Sequence, residues 1–335
     1  MKLRVFLGLS LLIFSTTLVS ADINGYLSFD FVKGQAESNS AQGSFQRALL
    51  GLIISGEIGN KVSYNSEIRV GHKGKIEFDE AYISLKPSNS FSLRLGLYLV
   101  PFGKYNISNR PQQMMLVVAP LPVKNIYPPR WRDIGLLIEG NWGGFFYSAY
   151  LGNGLGEGGY LSQGQQFEDN NKNKGKGARA GFSFGRGFEA AYSFYKGKYD
   201  DLNQRNLSLQ GLDVSWTTQG FQLLAEYSRA NLDNPAGFKK GKAEGYFIEF
   251  SFDWESIRPV VSYQYLKYKD AFHGRNFSWP DQEGNGIDDI RNCWSLGLVY
   301  SISKNVFFKL EYEINREEKI ELKNNLFLLQ LAVGF

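Results

Sequence analysis

The chain has 335 residues, 37 Lys plus Arg against 33 Asp plus Glu, a net charge of +4 and one cysteine. The lone Cys293 excludes an intramolecular disulfide framework and a cysteine zinc site. Only two histidines, His72 and His273, are present, and no basic run with interleaved aromatics marks a nucleic-acid surface. No cofactor or metal is expected. Aromatics make up 15% of residues, with 26 Phe and 19 Tyr, a richness that suits interfacial girdles. A mean hydropathy of −0.28 argues against a bundle of membrane helices but not against strands that are apolar on one face only.

The N-terminus reads as a targeting segment. Lys2 and Arg4 precede an apolar stretch from Val5 to Leu18, too short to span a bilayer, and Val19-Ser20-Ala21 supplies small residues for cleavage. Residues 1–21 are therefore expected to be a signal peptide, and residues 22–335 the exported domain.

From Asp22 onward the dominant pattern is alternation with period two. Ile23, Leu27, Phe29 and Phe31 alternate with Asn24, Ser28 and Asp30. Val62, Tyr64, Ile68 and Val70 alternate with Ser63, Asn65, Glu67 and Arg69. Leu93, Leu95, Leu97 and Leu99 alternate with Ser92, Arg94, Gly96 and Tyr98. Val306, Phe308, Leu310, Tyr312 and Ile314 alternate with Lys309, Glu311 and Glu313. About sixteen such segments are predicted, the first at 22–32 and the last at 324–335.

The connections separate a barrel from a sandwich. After each even-numbered segment the turn is short, as at Gly59-Asn60, Gln219 and Ser303-Lys304. After odd-numbered segments the loops are mostly long and polar, as at Lys33 to Ser44 and Asp270 to Ile290. Short periplasmic turns alternating with long external loops is the layout of an outer-membrane barrel. The C-terminal alternation of Phe327, Leu329, Leu331, Val333 and Phe335 looks like the strand read by barrel-assembly machinery. The expected fold is an all-β, antiparallel transmembrane barrel in a bacterial outer membrane, contacting its lipids and lipopolysaccharide.

The longest connection, Pro101 to Arg132, carries Lys104, Arg110, Lys124, Arg130 and Arg132 and no acid. Its apolar section, Met114 to Pro122, is unsuited to external water, so this third loop is expected to fold into the lumen. Acid-free cations in a narrow, low-dielectric passage concentrate anions. Alternation also points Arg47, Arg69, Arg94 and Arg179 inward, with Glu57, Glu67, Glu139, Glu189, Glu226, Glu249, Glu311 and Glu313. This predicts a transverse field, basic on the early wall and acidic on the later one.

Several stretches resemble the phosphate-selective porins of the O and P type. They are Asp79-Glu80-Ala81-Tyr82-Ile83 followed by Leu95-Gly96 and Pro101-Phe102-Gly103, then Arg132-Asp133-Ile134-Gly135, Tyr147 to Gly154, and Leu212-Asp213-Val214-Ser215-Trp216 with Ala225-Glu226-Tyr227. The resemblance implies a sixteen-stranded trimeric barrel with the third loop inside. It also implies that Arg47, Arg69, Arg94 and the loop cations take the part of that family's arginine ladder and lysine cluster.

Two constellations are weaker. Asp281, Glu283, Asn285, Gly286, Asp288 and Asp289 resemble a calcium loop, but Asn292 stands where a bidentate Glu is needed. Neither histidine has a serine partner by motif, so an enzyme is not expected. The favoured reading is a passive channel for small hydrophilic solutes, biased toward anions such as phosphate. The rivals are a structural or adhesive barrel with a plugged lumen, and a porin for cations or neutral solutes.

Overall fold

A computed structural model describes residues 21–71, 74–88, 90–158, 161–185, 187–270, 272, 290–318 and 321–335. Residues 1–20 of the expected leader, both histidines and the acidic stretch 281–289 lie outside the described residues. No described helix is long and apolar enough to cross a membrane.

Sixteen strands close into one antiparallel barrel in which each strand pairs with its neighbours in sequence. They are β1 (Ala21–Gly34), β2 (Ser44–Ile58), β3 (Val62–Val70), β4 (Ile76–Ser88), β5 (Phe91–Leu99), β6 (Arg132–Trp142), β7 (Phe145–Gly152) and β8 (Gly175–Phe184). They continue with β9 (Phe188–Lys198), β10 (Asn206–Thr218), β11 (Phe221–Leu232), β12 (Gly241–Phe252), β13 (Ile257–Asp270), β14 (Ile290–Ser303), β15 (Val306–Glu317) and β16 (Leu326–Gly334). Closure leaves no strand edge unpaired, which a bilayer core requires because it offers backbone groups no water. The seam is β1 against β16, from Tyr26 opposite Gly334 to Gly34 opposite Leu326. Phe335 extends it, exchanging backbone hydrogen bonds with Gly25 at 2.8 and 2.9 Å.

The alternation read in the sequence sorts the two faces. Phe29, Phe78, Ile83, Leu136, Leu212, Ile248, Trp294 and Leu331 are exposed on the outside, where lipid would meet them. The tight turns follow the even strands, and their geometry is local. In the β10–β11 hairpin, Thr218 pairs with Phe221, and both loop residues, Gln219 and Gly220, have positive φ. That is the combination a two-residue turn needs to match strand twist.

Candidate functional site: the third loop and the lumen

The connection from β5 to β6 is L3, residues 100–131. It enters the barrel, forms two short helices, α1 (Gly103–Ile107) and α2 (Leu121–Ile126), and returns to β6. Arg132 is the first residue of β6 rather than part of the loop. Asn106 joins the two ends of L3: its side-chain amide donates to Val100 O (2.8 Å) and Trp131 O (3.0 Å), and its Oδ1 accepts from Trp131 N (2.7 Å).

One side of L3 is clamped to the early wall by arginines. Glu67 on β3, fully buried, accepts from Arg110 Nη2 at 2.6 Å, Arg130 Nη2 at 2.7 Å and the Tyr26 hydroxyl at 2.7 Å. Asp79 on β4, also fully buried, meets Arg130 at 2.7 Å, Arg132 at 2.5 Å and Arg69 at 3.2 Å. Arg69 also bonds Glu77 at 2.6 Å, and Arg110 lies 3.5 Å from Glu80. Burial works against the charge of Arg130, but Asp79, Tyr26 and Glu67 around it raise its pKa above the ordinary arginine value. Four guanidiniums face four carboxylates here, so the cluster is close to neutral.

The opposite side of L3 is held by carboxylates and one lysine of the later wall. Glu226 on β11 accepts from the backbone N–H of Tyr105 and from the Tyr127 hydroxyl. Gly103 has φ of +70°, and a Cβ there would lie 2.5 Å from a Glu226 oxygen, so the approach requires glycine. Glu311 on β15 accepts from the N–H groups of Val117 (2.6 Å) and Val118 (3.2 Å). Lys309 on the same strand is buried and donates to the carbonyls of Pro111 (2.5 Å) and Met114 (2.7 Å). Gln264 on β13 accepts from Leu121 N at 2.8 Å.

Apolar packing completes the anchorage. Phe102, Tyr105, Leu121, Val123, Ile126, Tyr127 and Trp131 of L3 share a buried cluster with Tyr195, Leu209, Phe247 and Leu266 of the wall, and with Leu155 and Leu161 of the β7–β8 loop. The apolar section does the same elsewhere: Val117 packs with Val32 and Leu328, and Leu116 with Val260 and Val299. This section thus escapes water inside the lumen, as its composition requires.

The larger spaces lie toward the short-turn, periplasmic end. A vestibule of about 1030 Å³ is lined by Lys61, Lys86, Arg94, Arg110 and Arg179 together with Glu57, Glu80 and Glu139. Arg94 pairs with Glu139 at 2.8 Å and lies over the Tyr82 ring. A second space of about 480 Å³ reaches Asn24, Asn65, Gln112 and Asn305. A third, of about 350 Å³, runs between L3 and β8–β12 and includes Lys104, Glu189 and Glu249.

The cations singled out in the sequence are all in or at the lumen, and each meets a carboxylate. Lys104 pairs with Glu189 (2.8 Å), Arg110 with Glu67, Lys124 with Glu313 (3.6 Å), Arg130 with Glu67 and Asp79, and Arg132 with Asp79. Arg47 pairs with Asp30 at 2.7 Å. Arg179 pairs with Asp213 (2.6 Å) and Glu189 (2.7 Å). The early wall is therefore mixed in sign, not basic: it contributes Asp30, Glu67, Glu77, Asp79 and Glu80. Strict alternation hid Asp79 because the β3–β4 register shifts between Glu67 and Ile68. That bulge lets Asp79 and its neighbour Glu80 both reach lumenal arginines. Lys309 was passed over because a lone lysine among glutamates gave no loop-binding signal. Cys293 is buried.

Comparison with known proteins follows the geometry. The chain matches the family model described as Gram-negative porin over residues 8–319. A protein of Aquifex aeolicus (strain VF5), described as uncharacterized, is 28% identical over 141 residues. Those residues are 40% of this chain, and they span about a third (32%) of that relative. Among solved structures, a loop L8 deletion mutant of OmpT, an outer membrane protein of Vibrio cholerae, has a TM-score of 0.69 at 10% identity, covering 94% of this chain and 99% of that one. In-vitro folded OmpT of Vibrio cholerae in a trimer form has a TM-score of 0.66 at 11% identity, with coverages of 94% and 99%. An anion-selective porin from Comamonas acidovorans has a TM-score of 0.66 at 14% identity, again covering 94% and 99%. At such identities the likeness establishes the barrel fold.

Proposed function

The chain belongs to the Gram-negative porin family, and from that premise we propose that it is a passive diffusion channel for small hydrophilic solutes with a bias toward anions, phosphate among them. The observation that carries the bias is the vestibule, where Arg94, Arg110 and Arg179 are paired with carboxylates and the exposed Lys61 and Lys86 stand against the one remaining acid of its lining, Glu57. A low-dielectric wall focuses such an excess into a positive potential. Arg130 and Arg132, 9% and 6% exposed, are taken up by their ion pairs beside L3, whereas Lys104 and Lys124 keep about a third of their side chains open despite theirs. Arg47, Arg69, Arg94 and Arg110 keep part of their surface open along the β2–β5 wall, so a guanidinium edge remains for a phosphate or carboxylate.

The mature protein starts after residue 21 in this reading, and its terminal strand addresses it to the assembly machinery. A homotrimer is the proposed assembly, by analogy with the trimer form described for OmpT.

One observation favours the plugged barrel as a second reading: L3 is tied to β3, β4, β11, β13 and β15 and packed on an apolar wall. Purified protein in a planar bilayer separates the two. A channel gives discrete conductance steps that grow on deletion of Met114 to Val123. A plugged barrel gives none in the intact protein.

A further inference from the structure

The outside of the barrel carries a second charged feature, distinct from the lumen. Register places Lys176 on β8 directly opposite Lys196 on β9. Both side chains point outward, because Arg179 and Ser193 on the same strands bond partners inside the barrel. Two like charges directly opposite on adjacent strands destabilise a sheet. Neither lysine has an ion-pair partner among the described residues. Across β10, where the uncharged Ser208 faces Lys196 and Gln210 faces Arg229, a second outward group follows in the next row toward the periplasm: Arg229 on β11 lies opposite Glu244 on β12, and Glu244 opposite Lys267 on β13. Lys269 adds a further cation, bonded to Glu244 at 2.6 Å. Glu244 is the one acid among these six charged residues.

Immediately below Arg229, Glu244 and Lys267, one outward step toward the periplasm, runs a line of tyrosines: Tyr227 opposite Tyr246, and Tyr246 opposite Tyr265. The rings of Tyr246 and Tyr265 stack at 5.3 Å. Tyrosines pointing outward from a barrel mark the depth of the membrane interface. Cations one step above them stand at the level of headgroup phosphates. The β3 to β7 sector lacks the feature. On β3 to β7 the corresponding outward residues of the extracellular end include Val70, Phe78, Leu97, Ile134 and Leu151, none of them charged.

We propose that Lys176, Lys196, Arg229 and Lys267 form a docking surface for phosphate-bearing lipid headgroups of the outer leaflet, with the tyrosine row beneath Arg229 and Lys267 meeting the acyl boundary. A phosphate seated between Lys176 and Lys196 relieves their mutual repulsion. Lys267 and Arg229 extend the surface to a second phosphate, flanking Glu244.

The test uses the refolded full chain in detergent micelles without divalent cations, probed with bis-phosphorylated lipid A and with the same lipid dephosphorylated. Native mass spectrometry reads the bound fraction. The wild type is expected to hold the phosphorylated form at least about tenfold more tightly, about 1.4 kcal/mol. The combined variant Lys176→Gln, Lys196→Gln, Arg229→Gln and Lys267→Gln is expected to lose that preference, while Lys239→Gln in an external loop keeps it. Heat-dependent gel migration checks that each variant is folded, and Lys196→Gln alone, with a smaller loss, serves if the combined variant does not fold. Equal binding of both lipids by the wild type overturns the proposal, as does a folded combined variant that discriminates like the wild type.

Discussion

Arg130 of L3 and Glu67 of β3 meet at 2.7 Å in the wall of the barrel, with side chains 9% and 0% exposed. An ion pair this deeply buried contributes little net stability but is costly to break from one side, because the survivor keeps an unpaired charge away from water. Its value here is positional. The pair fixes where the returning arm of L3 leaves the lumen, and Asp79 repeats the fixation from the next strand.

Glu67→Gln should therefore destabilise the folded barrel by roughly 3 kcal/mol, and it should loosen L3 without removing it. The expected outcome is a lower urea midpoint together with noisier and larger single-channel currents than wild type. A quiet, unchanged current would show that L3 is held adequately by its other anchors.

Gly103→Ala tests the opposite anchor. The new methyl meets a Glu226 oxygen, so the carboxylate must give up either Tyr105 N or the Tyr127 hydroxyl. A loss of about 1 to 3 kcal/mol is expected from a buried hydrogen bond left unmade and from the positive φ. Glu226→Gln, which keeps an accepting oxygen, should cost less. Equal costs for the two would mean that geometry at Gly103 is not what holds Glu226.

Asn106→Ala removes three hydrogen bonds that join the ends of L3. Val100 O, Trp131 O and Trp131 N then compete for other partners in a buried site, although Val100 N and Trp131 O already bond each other. Protease accessibility of L3 in folded protein should rise. Leu136→Ala, a lipid-facing change on β6, is the control and should leave it unchanged.

Vestibule selectivity should weaken with salt. Lys61 and Lys86 are exposed, and the screening length falls from about 10 Å at 0.1 M to about 3 Å at 1 M. The chloride preference measured at low salt should shrink markedly at 1 M. A preference that survives 1 M salt undiminished would place its source in the dry interior instead.

The barrel was legible in the sequence because two independent periodicities agreed. Period-two alternation, as in Leu93 to Leu99, gave the strands, and the parity of turn lengths gave closure. The inward course of L3 was legible from Met114 to Pro122, whose apolar side chains needed a dry partner. The ionic partners were not. Arg110, Arg130 and Arg132 stood out as an acid-free run, but their carboxylates, Glu67 and Asp79, sit in other strands, and a bulge had shifted the second out of the expected alternation. Charge balance in a folded lumen is a tertiary property. Counting signs along one loop measures only half of it.

The reversal potential of the purified protein in a planar bilayer, across a potassium chloride gradient at low salt, addresses the central claim most directly. The positive excess in the vestibule predicts displacement toward the chloride equilibrium value, diminished in Lys86→Gln and Arg94→Gln. Displacement toward the potassium value, with those variants without effect, would contradict it and give the passage to the lumenal glutamates.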